Sequence, residues 1–236
     1  MKNKRKNNMK EFEERIGVVF KNKRLLSTAL THRSYVNEHR NVKKHNERLE
    51  FLGDAVLELI TSEYLFKRYS NRPEGDLTSF RAALVRTDSL AETSHKLGVG
   101  NYLKLSKGEE ETGGREKDFL LANTFEAIVG AIYLDQGYET SKKFVNRFLI
   151  KKIDDIVKNR SDIDGKTRIQ EFAQSRYKEI PVYEVADSRG PDHDKEFTVI
   201  VKIKNKVVGK GVGGSKQKAE EDAATNALKN LENTKI

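Results

Sequence analysis

Apolar residues recur at helical spacing through the first 157 residues. In residues 46–69 they repeat every three or four positions, which predicts a long amphipathic helix. Residues 119–134 are apolar on nearly every side, a pattern typical of a buried helix. The pattern predicts helices over residues 10–16, 23–31, 46–69, 74–97 (as one helix or two), 117–136 and 140–157, with a loop over 102–114.

The period changes to two after residue 160. No convincing strand is predicted before this point, whereas Phe197, Val199, Val201 and Ile203 alternate with polar residues, as in a half-buried strand. Polar, turn-rich residues 158–165 separate the two patterns and are the best linker candidate. The second pattern predicts, in α-β-β-β-α order, helix 166–177, strands 182–186, 196–204 and 207–210 with a turn at 205–206, and helix 215–231.

The amino-acid composition excludes several kinds of structural and catalytic site. The 236 residues allow one or two domains, and the lack of cysteine excludes disulfides, thiolate zinc sites and a cysteine nucleophile. Of the net charge of +9, five charges lie in residues 1–10, an arm that either solubilises the chain or weakly attracts phosphates. The sequence has no apolar signal region and no apolar segment long enough to span a membrane, so we expect a cytoplasmic protein without membrane contact.

Carboxylates share one face of the predicted helix 46–69. Glu47, Glu50 and Asp54 are spaced by three and four residues, and Glu58 follows one turn later. Because like charges at these spacings repel each other, the face needs an explanation. It is either a solvated acidic stripe opposite the core or one half of a functional site.

Glu126 lies in the middle of the apolar segment 119–134, with Asn123 three residues earlier on the same face. A buried carboxylate is costly unless it is paired or ligates a metal. Glu126 could therefore sit at the rim of the buried face, bonded to a backbone N–H or to an arginine. Alternatively, oxygen atoms from the two helices converge on a hard cation such as Mg²⁺, which prefers octahedral oxygen ligation.

Residues 45–54, HNERLEFLGD, resemble the signature motif of the ribonuclease III family. Supporting blocks lie in the family's order at residues 30–35, 73–85, 105–114 and 125–135. The C-terminal part resembles the double-stranded-RNA-binding domain of bacterial members. The resemblance implies two domains of different class, with these boundaries: a basic arm over 1–9, an all-α endonuclease domain over 10–157, a linker over 158–165 and a small α+β (α-β-β-β-α) domain over 166–232.

The resemblance also implies an activity. Members are homodimeric endonucleases that hydrolyse double-stranded RNA to 5′-phosphate and 3′-hydroxyl ends with short 3′ overhangs, in RNA processing. Mg²⁺ is the expected cofactor, with Mn²⁺ as a substitute and no organic cofactor. Carried onto this sequence, Glu50 and Glu126 are metal ligands, and Asp54 acts with Glu126 in catalysis. Glu47 assists at the edge of the site, and Phe51 packs across the dimer interface unless it is an ordinary core residue.

Asn123 departs from the family pattern, in which most members carry aspartate three residues before the catalytic glutamate. Its carbonyl oxygen can still ligate a metal, but one negative charge is lost, so we expect weaker metal binding. A working enzyme is the leading interpretation because Glu50, Asp54 and Glu126 are all present. The alternative is a catalytically weakened or silent dimer that binds double-stranded RNA and regulates it. An unrelated helical protein with an RNA-binding module would leave the carboxylates unexplained.

Three parts of the second domain are expected to contact the minor grooves and phosphates of a duplex. Gln170 and Gln174, one helical turn apart, offer neutral donors and acceptors, unless they are merely exposed. His193 ends a Gly-Pro-x-His loop whose spacing matches the family. Lys216 and Lys218 follow two glycines at a helix N-terminus, which favours phosphate binding over a simply solvated helix start.

Overall fold

The computed structural model describes residues 9–159, 163–191 and 195–233, and the chain divides into two compact units. The first unit is Met1–Asp162 and the second is Ile163–Ile236. The predicted linker 158–165 includes residues 160–162, which lie outside the described residues, as do residues 1–8 of the basic arm. Within the described ranges, no helix is both long enough and apolar enough to cross a membrane.

The first unit is helical, as its apolar period predicts. In its described part no strand forms, although Thr31 and Lys104 make an isolated parallel bridge. The helices are α1 (Met9–Ile16), α2 (Lys23–Ala29), α3 (Arg33–Glu38), α4 (Glu47–Arg68), α5 (Glu74–Val85), α6 (Thr87–Leu97), α7 (Lys107–Glu111), α8 (Asp118–Phe148) and α9 (Ile153–Asn159).

Helices α4 and α8 pack along each other at the centre of this unit. Leu57 and Ile60 of α4 are fully buried, as are Phe125, Ile128 and Ile132 of α8. Each side chain of this size contributes about 1.5–3 kcal/mol when it leaves water. The apolar core therefore fixes the two helices against each other, and with them the polar residues that they carry.

Several helix boundaries differ from the prediction. Gly137, with a φ of 78°, breaks α8, yet the helix resumes, so one element joins most of the predicted helices 117–136 and 140–157. A glycine adopts this backbone without strain, so the break does not end the packing. The predicted loop 102–114 contains the short helix α7, whose first turn is capped by the Ser106 hydroxyl. The predicted helix 74–97 is two helices, separated at the extended backbone of Arg86.

The second unit has the predicted α-β-β-β-α order. Its three strands form an antiparallel sheet in the order β1-β2-β3. Val199, Val201 and Ile203 of the middle strand are buried, which confirms the predicted alternation. The elements are α10 (Gly165–Tyr177), β1 (Val182–Arg189), β2 (Glu196–Ile203), β3 (Lys206–Gly213) and α11 (Lys216–Asn233).

Strand β3 is longer than predicted because its glycines serve the packing of α11. A Cβ atom on Gly211 would lie 2.1 Å from the backbone nitrogen of Ala223, so only glycine lets the helix lie this close to the sheet. The turn before β3 is formed by Lys204 and Asn205, both with positive φ, one residue earlier than predicted.

Candidate active site

The acidic face predicted on α4 lies beside α8. Glu50 is half-buried, whereas Glu47, Asp54 and Glu58 are exposed. Asp54 and Glu50 both act electrostatically on Glu126 of α8. The carboxylates of the two helices therefore share one site, as the second interpretation of this face requires, and Glu126 is not simply a residue at a rim.

Two glycines set the distance between the helices that carry these carboxylates. A Cβ atom on Gly53 would lie 1.8 Å from the carbonyl oxygen of Glu126, and one on Gly130 would lie 2.2 Å from the carbonyl oxygen of Leu49. The backbones of α4 and α8 are thus in direct contact next to the acidic residues. Sequence reasoning missed this role, although Gly53 precedes Asp54 and Gly130 follows Glu126 by one turn.

Glu126 is the most perturbed carboxylate of the cluster. Burial, followed by the negative charges of Asp54 and Glu50, raises its pKa from 4.5 to about 7. Within the described residues, no lysine or arginine forms an ion pair with Glu50, Asp54 or Glu126. The cluster therefore holds excess negative charge that a bound cation would compensate.

Asn123 contacts Glu50 across the interface between α8 and α4. Its side-chain amide donates a hydrogen bond to the Glu50 carboxylate. Burial is the main reason that the pKa of Glu50 is raised, Glu47 and Asp54 add to the rise, and the bond from Asn123 opposes it. Asn123 thus partly stabilises the ionised form of Glu50 while its carbonyl oxygen remains a potential ligand.

The donor set fits a hard cation. In the described part of the chain, no three His, Cys, Asp or Glu side chains are arranged so that they alone could hold a metal ion. Glu50 and Glu126, with the amide oxygen of Asn123, supply only oxygen donors and part of a coordination shell. This composition suits Mg²⁺, which keeps several water ligands and is commonly held by one or two carboxylates.

Glu47 is held at the edge of the cluster by two basic groups. Arg33 Nη1 lies 3.5 Å from Glu47 Oε1, and His45 Nδ1 lies 3.8 Å from Glu47 Oε2. The contact with Arg33 is not predictable from local sequence, since α3 is distant from α4 along the chain, whereas His45 lies only two residues before Glu47. Arg33 thus partly offsets the charge of Glu47, which still acts on Glu50 and contributes to its raised pKa.

Phe51 is not a core residue. Its side chain is 81% exposed, and Leu59 and Phe66 further along α4 are 58% and 72% exposed. These positions are eight and fifteen residues after Phe51, so they follow one side of the helix. The alternative of an ordinary core position is therefore wrong, and the exposed apolar stripe is free to form an interface.

In the second unit, the predicted RNA-contacting residues that are described are all exposed. Gln170 and Gln174 lie on α10, and Lys216 and Lys218 lie in the first turn of α11. The backbone N–H of Lys218 donates to the Ser215 hydroxyl at 3.2 Å, which caps this helix end. The predicted contact at His193 lies outside the described residues.

Both units match known families. A family described as "Ribonuclease-III-like" matches residues 22–153, and the "double-stranded RNA binding motif" matches residues 166–231. The chain is 44% identical to ribonuclease 3 of Treponema denticola over 97% of its own length and 93% of that protein. It is 50% identical to ribonuclease 3 of Desulforamulus reducens over 92% and 89% of the two chains.

A solved structure resembles the first unit. It is the nuclease domain of ribonuclease III from Campylobacter jejuni, described for flexibility in its region of dimer formation. It has 43% identity and a TM-score of 0.57, and the match covers 61% of this chain and 97% of that domain. Nothing in these comparisons favours the catalytically silent alternative raised by Asn123.

Proposed function

The chain belongs to the ribonuclease III family and is an endoribonuclease that acts on double-stranded RNA, and we propose that its active site is the acidic cluster between α4 and α8. The observation that carries this proposal is the convergence of Glu50, Asp54 and Glu126, where burial, followed by the charges of Asp54 and Glu50, raises the pKa of Glu126 to about 7. Structural ion-pair networks also shift pKa values, but this cluster has no basic partner among the described residues.

Each residue of the cluster has a proposed role. Glu50 and Glu126 hold Mg²⁺, or Mn²⁺ in its place, with the carbonyl oxygen of Asn123 as a further ligand. When bound, the cation supplies a water of lowered pKa and neutralises charge on the phosphate. Asp54 is exposed beside Glu126, where its carboxylate accepts a hydrogen bond from the attacking water and orients it. Glu47 adds negative charge at the edge of the site.

The test is a cleavage assay on a long RNA duplex. With Mg²⁺ we expect products that carry 5′-phosphate and 3′-hydroxyl ends with short 3′ overhangs, and with EDTA we expect intact duplex. Cleavage of single-stranded RNA at the same rate, or cleavage that persists in EDTA, would contradict the proposal.

We place this activity in the cytoplasm, in the processing of ribosomal precursors and messenger RNA.

The Asn123→Asp variant is expected to reach half-maximal cleavage at a Mg²⁺ concentration lower by roughly tenfold, because a carboxylate binds Mg²⁺ more tightly than a carboxamide. The variant also loses the hydrogen bond to Glu50 and adds a charge near Glu126, so the gain should be clearest above pH 7. Duplex affinity in metal-free buffer should not change. If the two Mg²⁺ titrations overlay, Asn123 is not a ligand.

We expect the Lys216→Ala, Lys218→Ala double variant to bind duplex more weakly and with a flatter salt dependence. Each lost phosphate contact reduces the log–log slope of affinity against salt by about 1, so the slope should fall by roughly 2. The matched control is Lys206→Ala with Lys210→Ala, two exposed lysines on β3. An unchanged slope in the first variant, or an equal loss in the control, would show that Lys216 and Lys218 do not meet phosphate.

The full chain is expected to sediment as a homodimer at micromolar concentration. The exposed apolar stripe of Phe51, Leu59 and Phe66 offers a surface to bury, and a twofold axis would bury it on both copies. Phe51→Ala should raise the dimer dissociation constant by roughly 100-fold, as expected for a central aromatic residue of an interface. A native chain that remains monomeric under these conditions would contradict the proposed dimer.

A further inference from the structure

A basic segment lies immediately before the acidic face of α4. Elsewhere in the first unit many surface cations are already paired with carboxylates, as Arg68, Arg72 and Lys117 are. In residues 40–48, by contrast, the only acid is Glu47. Its neighbour His45 lies 3.8 Å from it, but no lysine or arginine of this segment forms an ion pair within the described residues. The basic residues of this segment, all of them exposed, are Arg40, Lys43, Lys44 and Arg48.

The fold holds this segment at both ends. At its start, the His39 ring stacks on Tyr35 with centroids 3.7 Å apart, and His39 Nδ1 donates to the Tyr35 carbonyl oxygen at 3.0 Å. A turn follows, in which the Val42 N–H donates to the His39 carbonyl at 2.8 Å. At its end, the Asn46 N–H donates to the Thr31 carbonyl at 2.9 Å. The cationic side chains thus project from a backbone that is anchored beside α4.

The basic segment lies where the exposed carboxylates of α4 would repel the phosphates of an approaching duplex. A duplex that reaches Glu50 and Glu126 must approach a helix face on which Glu47, Asp54 and Glu58 are exposed, and these charges repel its phosphates. The basic segment adjoins this face at Glu47, which Arg33 and His45 already contact. Cations at this edge would offset the repulsion where the backbone enters the site.

We infer that Arg40, Lys43, Lys44 and Arg48 bind backbone phosphates of the RNA duplex next to the bond that is cut. This inference rests on the proposed function and adds a phosphate-binding track on the nuclease unit to the contacts expected from α10 and α11. Unpaired, exposed lysine and arginine side chains are the groups that release counterions when they meet phosphates. Their contribution carries no base specificity, since phosphate contacts position a nucleic acid without reading its sequence.

The test compares the Arg40→Ala, Lys43→Ala, Lys44→Ala triple variant with the native chain. Arg48 is left in place because it lies on α4 itself, two residues from Glu50. At about 0.15 M salt each phosphate contact raises the affinity for duplex by a factor of roughly 5. Loss of three contacts should therefore lower kcat/KM on an RNA duplex of about 30 base pairs by roughly 100-fold. The log–log slope of kcat/KM against salt should become shallower by about 2 to 3.

The matched control is the Lys143→Ala, Lys151→Ala, Lys158→Ala triple variant. It removes the same charge from exposed lysines near the end of α8, in the turn after it and on α9. Its salt slope and melting temperature should equal those of the native chain. Suppose that the native chain cuts duplex. If the first variant then keeps the native salt slope, or if the control variant loses as much kcat/KM as the first variant, this inference is wrong and the proposed function stands.

The two ideas can fail separately. If the native chain does not cut duplex at all, the proposed function is wrong, and the phosphate track is then decided by equilibrium binding of the same duplex in EDTA. In that measurement a shallower salt slope for the Arg40, Lys43 and Lys44 variant supports the track, and an unchanged slope overturns it. A melting temperature equal to that of the native chain excludes misfolding as the cause.

Discussion

The Glu126→Gln variant is expected to cut duplex RNA with Mg²⁺ at least about 1,000-fold more slowly than the native chain. The change removes a negative charge from the cluster of Glu50, Asp54 and Glu126. A metal ion supplies several kcal/mol of charge stabilisation in hydrolysis, and each 1.36 kcal/mol is tenfold in rate. Duplex affinity in metal-free buffer should stay within about twofold, because the phosphate contacts are made elsewhere.

The matched control is Glu139→Gln, on the exposed part of the same helix beyond the break at Gly137. This variant should cut duplex at close to the native rate. Single-turnover rates measured at saturating enzyme separate the chemical step from binding. If Glu126→Gln cuts duplex at the native rate in Mg²⁺, Glu126 is not part of the active site. If both variants lose cleavage rate equally, the substitutions act through a general effect on α8.

The same substitution should stabilise the metal-free protein at high pH. Because burial raises the pKa of Glu126 from 4.5 to about 7, the folded chain keeps a proton in this window that the unfolded chain has released. The free energy of unfolding therefore falls as pH rises from 4.5 to 7. In EDTA at pH 8 we expect Glu126→Gln to unfold with a free energy higher by about 1 to 2 kcal/mol. Denaturant titrations should show this difference fading near pH 4.5.

The Gly130→Ala variant is expected to lose about 3 kcal/mol of folding free energy in the first unit, together with its cleavage activity. The added methyl group would lie 2.2 Å from the carbonyl oxygen of Leu49 and 3.0 Å from the backbone nitrogen of Gly53. Both neighbours are backbone atoms of α4, so the clash cannot be relieved by a side-chain rotation. The helices must move apart, at a cost typical of severe overpacking.

Separation of α4 and α8 would also separate Glu50 and Asp54 from Glu126, so activity should fall more than stability alone explains. The matched control is Gly75→Ala in α5, where an added Cβ meets nothing within 4 Å. That variant should be neutral or more stable by up to about 1 kcal/mol, since alanine is the better helix former. A Gly130→Ala variant with native melting temperature and turnover would show that the helices do not need this close contact.

The spacing of apolar residues predicted the type and order of the elements except for the short helices α3 and α7. Amphipathic periods of 3.6 and 2 depend only on which residues face the core, so they identified α4, the alternation of β2 and the α-β-β-β-α order. The acidic face of α4 and the family resemblance of residues 45–54 likewise depend on local spacing. The boundary of β3 was misplaced because its glycines, which usually weaken a strand, let α11 pack closely against the sheet. At Gly137 the backbone does leave the helical conformation, as predicted, but the helix resumes after it.

Only the folded chain shows which charged groups lie close to each carboxylate. A helical pattern shows that Glu126 lies on an apolar helix, but it does not show which charges approach it from another part of the chain. That proximity depends on Gly53 and Gly130, which let two backbones touch. Burial is the main reason that the pKa of Glu126 rises, and the charges of Asp54 and Glu50 brought close by this contact add to the rise. The exposure of Phe51, the contact of Arg33 with Glu47, and the anchoring of residues 40–48 depend on other segments in the same way. Local sequence carries no signal for such contacts, because each is set by how the core packs as a whole.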